Sequence, residues 1–243
     1  MKERVQKVIA ERGLCSRRAA EKLIAENRVK VNGRPIKLGA TCDPARDLIT
    51  VDGQKLLPKT EKKNLYILLH KPRGYVTTLS DEKGRKTVTG LVKVSERIYP
   101  VGRLDMLSEG LLLMTNDGEL THVLTHPSYE IPKEYLVTVL GDSEAAIPLL
   151  REGVTLDDGF QVAPATVSLV RAFDDKSILS ITISQGHNRQ VRRMCEAVGL
   201  TVRRLVRVSI GNLKLEGIPL GKWRHASIQE ERYLRKLVKE ARK

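Results

Sequence analysis

The pattern of this chain changes character once, near Pro58-Lys59-Thr60-Glu61-Lys62-Lys63, and that change limits what the chain can fold into. Before it, helical spacing is followed by two short hairpin signals. After it come longer β-type runs of four to nine residues with helices between them. Such a polar, proline-led stretch reads as a linker. The expected organisation is a small unit at 1–60 and a larger one at 64–243.

In the first unit a short helix is expected at roughly 2–11, closed by Gly13. A second should start on Ser16 as N-cap and bury Ala19, Ala20, Leu23 and Ile24. Val29-Lys30-Val31 then runs into Asn32-Gly33, and Ile49-Thr50-Val51 into Asp52-Gly53, both hairpin signatures. In the second unit strands are expected at 65–69, 75–78, 110–114, 134–140, 165–170, 178–183 and 202–210. Helices are expected at 119–125, 143–151, 189–198 and 228–241. Several strands follow one another with no helix between, so the predicted class is α+β, with a mixed, mainly antiparallel sheet and flanking helices.

Charge narrows the partner. The net charge is +14, which draws polyanions and speeds encounter with them. Residues 1–60 hold 14 Lys and Arg against 7 Asp and Glu, and at 189–209 six arginines face Glu196 alone. Two separated basic regions suggest one long polyanion touched in two places. Arg17 and Arg18 open the second helix at its positive end, where a phosphate would gain both cations and the free N–H groups. No apolar run reaches the ~20 residues of a bilayer span, and three scattered cysteines do not make a disulfide framework. The expected location is the cytoplasm.

Several chemistries fail on spacing. GIPLGK at 217–222 is one residue short of a phosphate loop and has Trp223 in the hydroxyl place. His122 and His126 are four apart, but Val123 stands where a zinc protease needs Glu, so they are expected to cap or pack a helix and no metal is expected. No GxSxG elbow occurs. What remains is one carboxylate, Asp105, at the head of the most apolar strand. To act on a nucleoside it needs a nearby cation and a base presented outside its stack on an aromatic surface. Cations are offered in 189–193 and an aromatic in Lys133-Glu134-Tyr135.

Five segments carry a resemblance. ERGLCSRRAAEKLIAENRVKVNGRPI (11–36) resembles an S4 domain, a small RNA-binding fold. LHKPRGYVTT (69–78), PVGRLDMLSEGLLLMTNDG (100–118), PSYEIPKEYLVTV (127–139) and SQGHNRQVRRMCEAVG (184–199) with RLVRVSIGNLKLEG (204–217) resemble, in order, the motifs of the RsuA/RluB/RluE/RluF family of pseudouridine synthases. Ser108 stands where that pattern expects Thr, and it keeps the hydroxyl.

The resemblance implies an rRNA uridine-to-pseudouridine isomerase, a monomer needing no cofactor or metal, with 23S rRNA as the expected substrate. Asp105 matches the catalytic aspartate, Tyr135 the tyrosine that meets the target base, and Arg192 the cation paired with the carboxylate. Arg103 matches an arginine tied to flipping and backbone contact, and Lys71 belongs to the motif shaping the cleft. Arg17, Arg18, Lys71, Arg103, Arg189 and Arg193 are the expected RNA contacts. Whether Asp105 attacks sugar or base, or removes the 2′ proton, stays open. The rival expectations are a non-catalytic rRNA-binding assembly factor and a uracil-excising glycosylase. The basic tail at 232–243 reads equally as an RNA-binding or a solvated helix.

Overall fold

The computed structural model describes residues 2–57 and 64–242, so the linker expected at 58–63 lies outside the described residues. The chain divides into two compact units, Met1–Lys63 and Asn64–Lys243.

In the first unit the helices are Val5–Glu11 and Arg17–Ala25, the first preceded by a strand, Glu3–Arg4, paired with Thr41–Cys42. That pairing is why the expected helix start at residue 2 moves to Val5. Ser16 Oγ accepts from the Ala19 N–H at 3.1 Å, so the N-cap forms. Ala20 and Ile24 are buried, whereas Ala19 is exposed, correcting that part of the expected apolar face. Val29–Val31 pairs with Arg34–Pro35, and Ile49–Val51 with Gln54–Lys55. Asn32 (φ 50°), Gly33 (φ 79°), Asp52 (φ 51°) and Gly53 (φ 78°) all sit in the left-handed region, as type I′ turns require. Val5, Ile9, Val29, Cys42 and Ile49 make the unit's own core.

The second unit is built on one mixed sheet. Its order is Thr166–Ala172, Ser177–Ile183, Lys133–Leu140, Thr201–Ile210, Glu109–Thr115, Tyr66–Lys71 and Trp223–His225. Neighbours are antiparallel except at one place, where Thr201–Ile210 meets Glu109–Thr115 in parallel through Val206↔Glu109 and Arg207↔Gly110. This short junction joins two antiparallel halves. Segment 75–78, expected as a strand, contributes only an isolated bridge from Val76 to Thr87, because its side chains serve a loop described below.

Glu109–Thr115 is buried along its whole length. Leu112 and Met114 belong to one core with Ile67, Leu69, Tyr135 and Val137. Leu111 and Leu113 belong to a second core with Tyr66, Leu68, Leu120 and Leu234. A strand covered on both faces has no reason to alternate, which explains the unbroken run Leu111–Met114. The second core is closed by helices Gly118–Thr125 and Ile228–Glu240. The first of these is capped by Asp117 and the second by a Ser227–Glu230 capping box. His126 ends the first helix and accepts from the Ser128 N–H through Nδ1, with the His122 ring centroid 4.9 Å away.

Candidate active site

Asp105 lies in the loop leading into Glu109–Thr115, beside the parallel junction. Four consecutive carbonyls of this loop are bonded inward. Lys71 Nζ donates to Asp105 O (2.9 Å) and Ser108 O (2.8 Å), the Gly74 N–H to Met106 O (2.8 Å), and Arg192 Nη2 to Leu107 O (3.0 Å). Just upstream, Thr77 Oγ1 donates to Leu104 O (2.6 Å) and accepts from the Leu104 N–H (3.2 Å). The segment 71–77 is therefore spent on fixing this loop instead of extending the sheet.

Among the described residues the Asp105 carboxylate has no hydrogen bond or ion pair. Two cations act on it electrostatically, Lys71 and Arg192. Lys71 is fully buried, and burial pulls its ammonium down to about 8, against the raising effect of Asp105 and Glu109. Arg192 is 6% exposed and lowered by burial first and Arg189 next, while Asp105 raises it. Arg192 therefore reaches Asp105 through its field, with its donor placed on Leu107 O and its buried Nε without a partner. Helix Gln190–Ala197 carries it and begins one residue later than expected, because Arg189 is left-handed (φ 49°).

Tyr135 is buried (8%) in the strand Lys133–Leu140, in register with Ile181 on one side and Arg207 on the other. Arg207 is itself buried, donates Nε to Leu111 O at 2.8 Å and acts electrostatically on Lys71 and Lys133. Lys133 donates to Ile131 O (2.9 Å) and is pulled down to about 8, by burial foremost. Glu109 is buried beneath a two-point pair with Arg204 (3.1 and 2.9 Å), which holds its carboxyl below the usual range. Gly110 is fixed by close approach: at φ +115° a Cβ would fall 2.2 Å from Arg207 O.

The expected residues are thus placed unequally. Asp105, Arg192 and Lys71 meet at the loop, and Tyr135 is in register with Arg207, which pairs on its other side with Gly110. Lys71, expected among the RNA contacts, is corrected: a fully buried ammonium bonded to backbone carbonyls cannot meet a phosphate, and it tethers the Asp105 loop instead. Arg193 has its charge matched by Asp157 and by Asp158 at 2.7 Å, tying the helix to the neighbouring turn. Arg103 is exposed beside Asp105, Arg189 is exposed and 3.9 Å from Glu196, and Arg17 and Arg18 are exposed at their helix start. Sequence reasoning missed the parts played by Thr77, Lys133 and Arg207. The only available signal was a charged residue interrupting an apolar strand, as in Val206-Arg207-Val208.

The chain is similar to known proteins over nearly its whole length. The profile described as "RNA pseudouridylate synthase" matches residues 65–197, and the S4 domain profile matches 3–48. An uncharacterized RNA pseudouridine synthase of Aquifex aeolicus is 42% identical over 98% of this chain and 96% of its own length. Ribosomal large subunit pseudouridine synthase B of Bacillus subtilis is 43% identical, covering 97% of each chain. A crystal structure of a pseudouridylate synthase superposes with TM-score 0.68 at 31% identity, over 96% of this chain and 99% of that one.

Proposed function

The chain belongs to the RNA pseudouridylate synthase family and carries an S4 domain, and from that premise we propose that it isomerises one uridine of ribosomal RNA with Asp105 as the catalytic carboxylate. The family match and the likeness to relatives named for the large ribosomal subunit support the reaction class. They also favour 23S rRNA as the substrate.

The reaction breaks the C1′–N1 bond, turns the base, and joins C1′ to C5. C5 gives up its proton and N1 takes one, so composition and oxidation state are unchanged and no cofactor or energy source is called for. A uridine inside a helix is out of reach, so it must leave its stack. The single observation that carries the reading is the Asp105 carboxylate. It is unpartnered among the described residues, its loop is held by four inward carbonyl bonds, and it lies in the field of Lys71 and Arg192. A carboxylate held in place and left free is suited to a reacting atom rather than to a fold.

Tyr135 supplies the ring against which the extruded uracil rests, with Arg207 beside it in register on the neighbouring strand. Arg103 and Arg189 are exposed cations for the RNA backbone near this loop and helix start. In the first unit, Arg17 and Arg18 grip phosphates through charge and the open helix start, contacts that position RNA without reading bases. The protein acts as a monomer in the cytoplasm.

Mapping pseudouridine in 23S rRNA from cells with and without the gene tests this reading. Loss of one modified position, restored by the wild-type gene, is expected. An unchanged map would contradict it.

A further inference from the structure

Two apolar side chains flank Asp105 and face water. Met106 is 42% exposed and Leu107 is 46% exposed, although Leu104 (5%) and Ser108 (1%) on either side are buried. Single exposed leucines are ordinary on protein surfaces. Here the pair is consecutive, and the backbone carrying it has no freedom to tuck it away. The carbonyls of Asp105, Met106, Leu107 and Ser108 are each bonded into the protein by Lys71, Gly74, Arg192 and Lys71 again. The loop thus turns its polar groups inward and its two apolar side chains out, next to the reactive carboxylate. Exposed Arg73 lies within the segment 71–77, and exposed Arg103 stands two residues before Asp105. Cations around an apolar pair fit a nucleic acid, whose phosphates the arginines meet while its bases meet the side chains.

We propose that Met106 and Leu107 form a wedge that enters the RNA base stack beside the target, filling the space the extruded uridine leaves. Extruding a base costs stacking and pairing, and apolar side chains inserted between base steps offset part of that cost. A wedge on a rigid loop suits the task, since its own ordering cost has been met before RNA arrives. Its attachment one residue from Asp105 couples insertion to placement of the uridine at the carboxylate. This proposal rests on the catalytic reading of Asp105.

The test uses two RNA stem-loops built around the uridine that mapping identifies, with tritium at its C5. In one the uridine is stacked between paired neighbours. In the other abasic ribonucleotides flank it, so nothing has to be unstacked. Truncation keeps the backbone carbonyls, so Met106→Ala/Leu107→Ala should retain the loop tethers. The expected result is a fall in kcat/KM for tritium release of roughly tenfold or more on the stacked RNA. The abasic-flanked RNA should show a much smaller fall, and the swap Met106→Leu/Leu107→Met should restore turnover on the stacked one. Equal losses on the two RNAs, or no loss on the stacked RNA, would overturn the wedge. A wild-type protein that releases no tritium from either RNA would overturn the catalytic reading, and the wedge with it.

Discussion

The ammonium of Lys71 sits 2.9 Å from the backbone carbonyl oxygen of Asp105, so the residue proposed to carry the chemistry is held by its main chain, and among the described residues its carboxylate stays free. The same ammonium also binds Ser108 O (2.8 Å) and Pro72 O (3.2 Å). Replacing it with methionine leaves three buried acceptors to find other donors. Lys71→Met is expected to lower stability by about 2–4 kcal/mol and to cut kcat more than it raises KM, since the loop loosens while RNA contacts remain. Thermal unfolding and steady-state kinetics read the two effects separately.

The depressed value of Lys71, about 8, also sets a pH dependence. Below pH 8 the group is protonated both folded and unfolded. Between about 8 and the unfolded value of about 10.4, the unfolded chain holds the proton more firmly than the native one. Stability from this group therefore rises with pH across that window. Activity moves the opposite way, because deprotonation removes one donor from the loop and one cation from the neighbourhood of Asp105. A kcat profile falling through about pH 8 is expected. Lys133 is drawn to a similar value, so the inflection should persist in Lys133→Met and vanish in Lys71→Met.

At the parallel junction, Gly110→Ala would push a methyl to 2.2 Å from Arg207 O in a backbone region hostile to L side chains. Neither strand can shift without breaking the pairs Glu109↔Val206 and Gly110↔Arg207. A loss above about 3 kcal/mol is expected in denaturant unfolding, large enough to leave little folded protein.

Glu109 and Arg204 give a milder test. Arg204→Ala leaves a buried carboxylate alone, but the guanidinium is itself 56% exposed, so screening limits the cost to about 1–2 kcal/mol. Arg204 lowers the Glu109 value, so the pair's stabilisation is present above the ordinary carboxylate range and is lost as pH falls through the folded value. Arg204→Ala should flatten that acid-side slope in thermal melts.

Arg17 and Arg18 lie in the first unit, remote in sequence from Asp105. Arg17→Ala/Arg18→Ala is expected to weaken rRNA binding and to reduce the slope of log affinity against log salt by roughly 1–2. Turnover at saturating RNA should hold. Filter binding across a salt series checks the slope.

Much of this arrangement could be read from the chain because it rests on local signals. Asn32-Gly33 and Asp52-Gly53 mark hairpin turns, Ser16 caps a helix, and Leu111–Met114 announces a strand. What stayed hidden depends on long-range contacts. Tyr75–Thr78 has strand composition, yet Thr77 is consumed by Leu104, 27 positions away. Lys71 looked like a phosphate contact because sequence shows its charge and not the carbonyls that surround it. Arg207 gave no sign of lying opposite Tyr135, since that register is set by the sheet.

The most direct measurement is tritium release from C5-labelled uridine in 23S rRNA by the wild type and by Asp105→Asn. The substitution keeps size and the Lys71 bond to the main chain while removing the charge. Release by the wild type and none by Asp105→Asn, with RNA affinity unchanged, is the expected result. Sustained release by Asp105→Asn would contradict the assignment of Asp105 as the catalytic carboxylate.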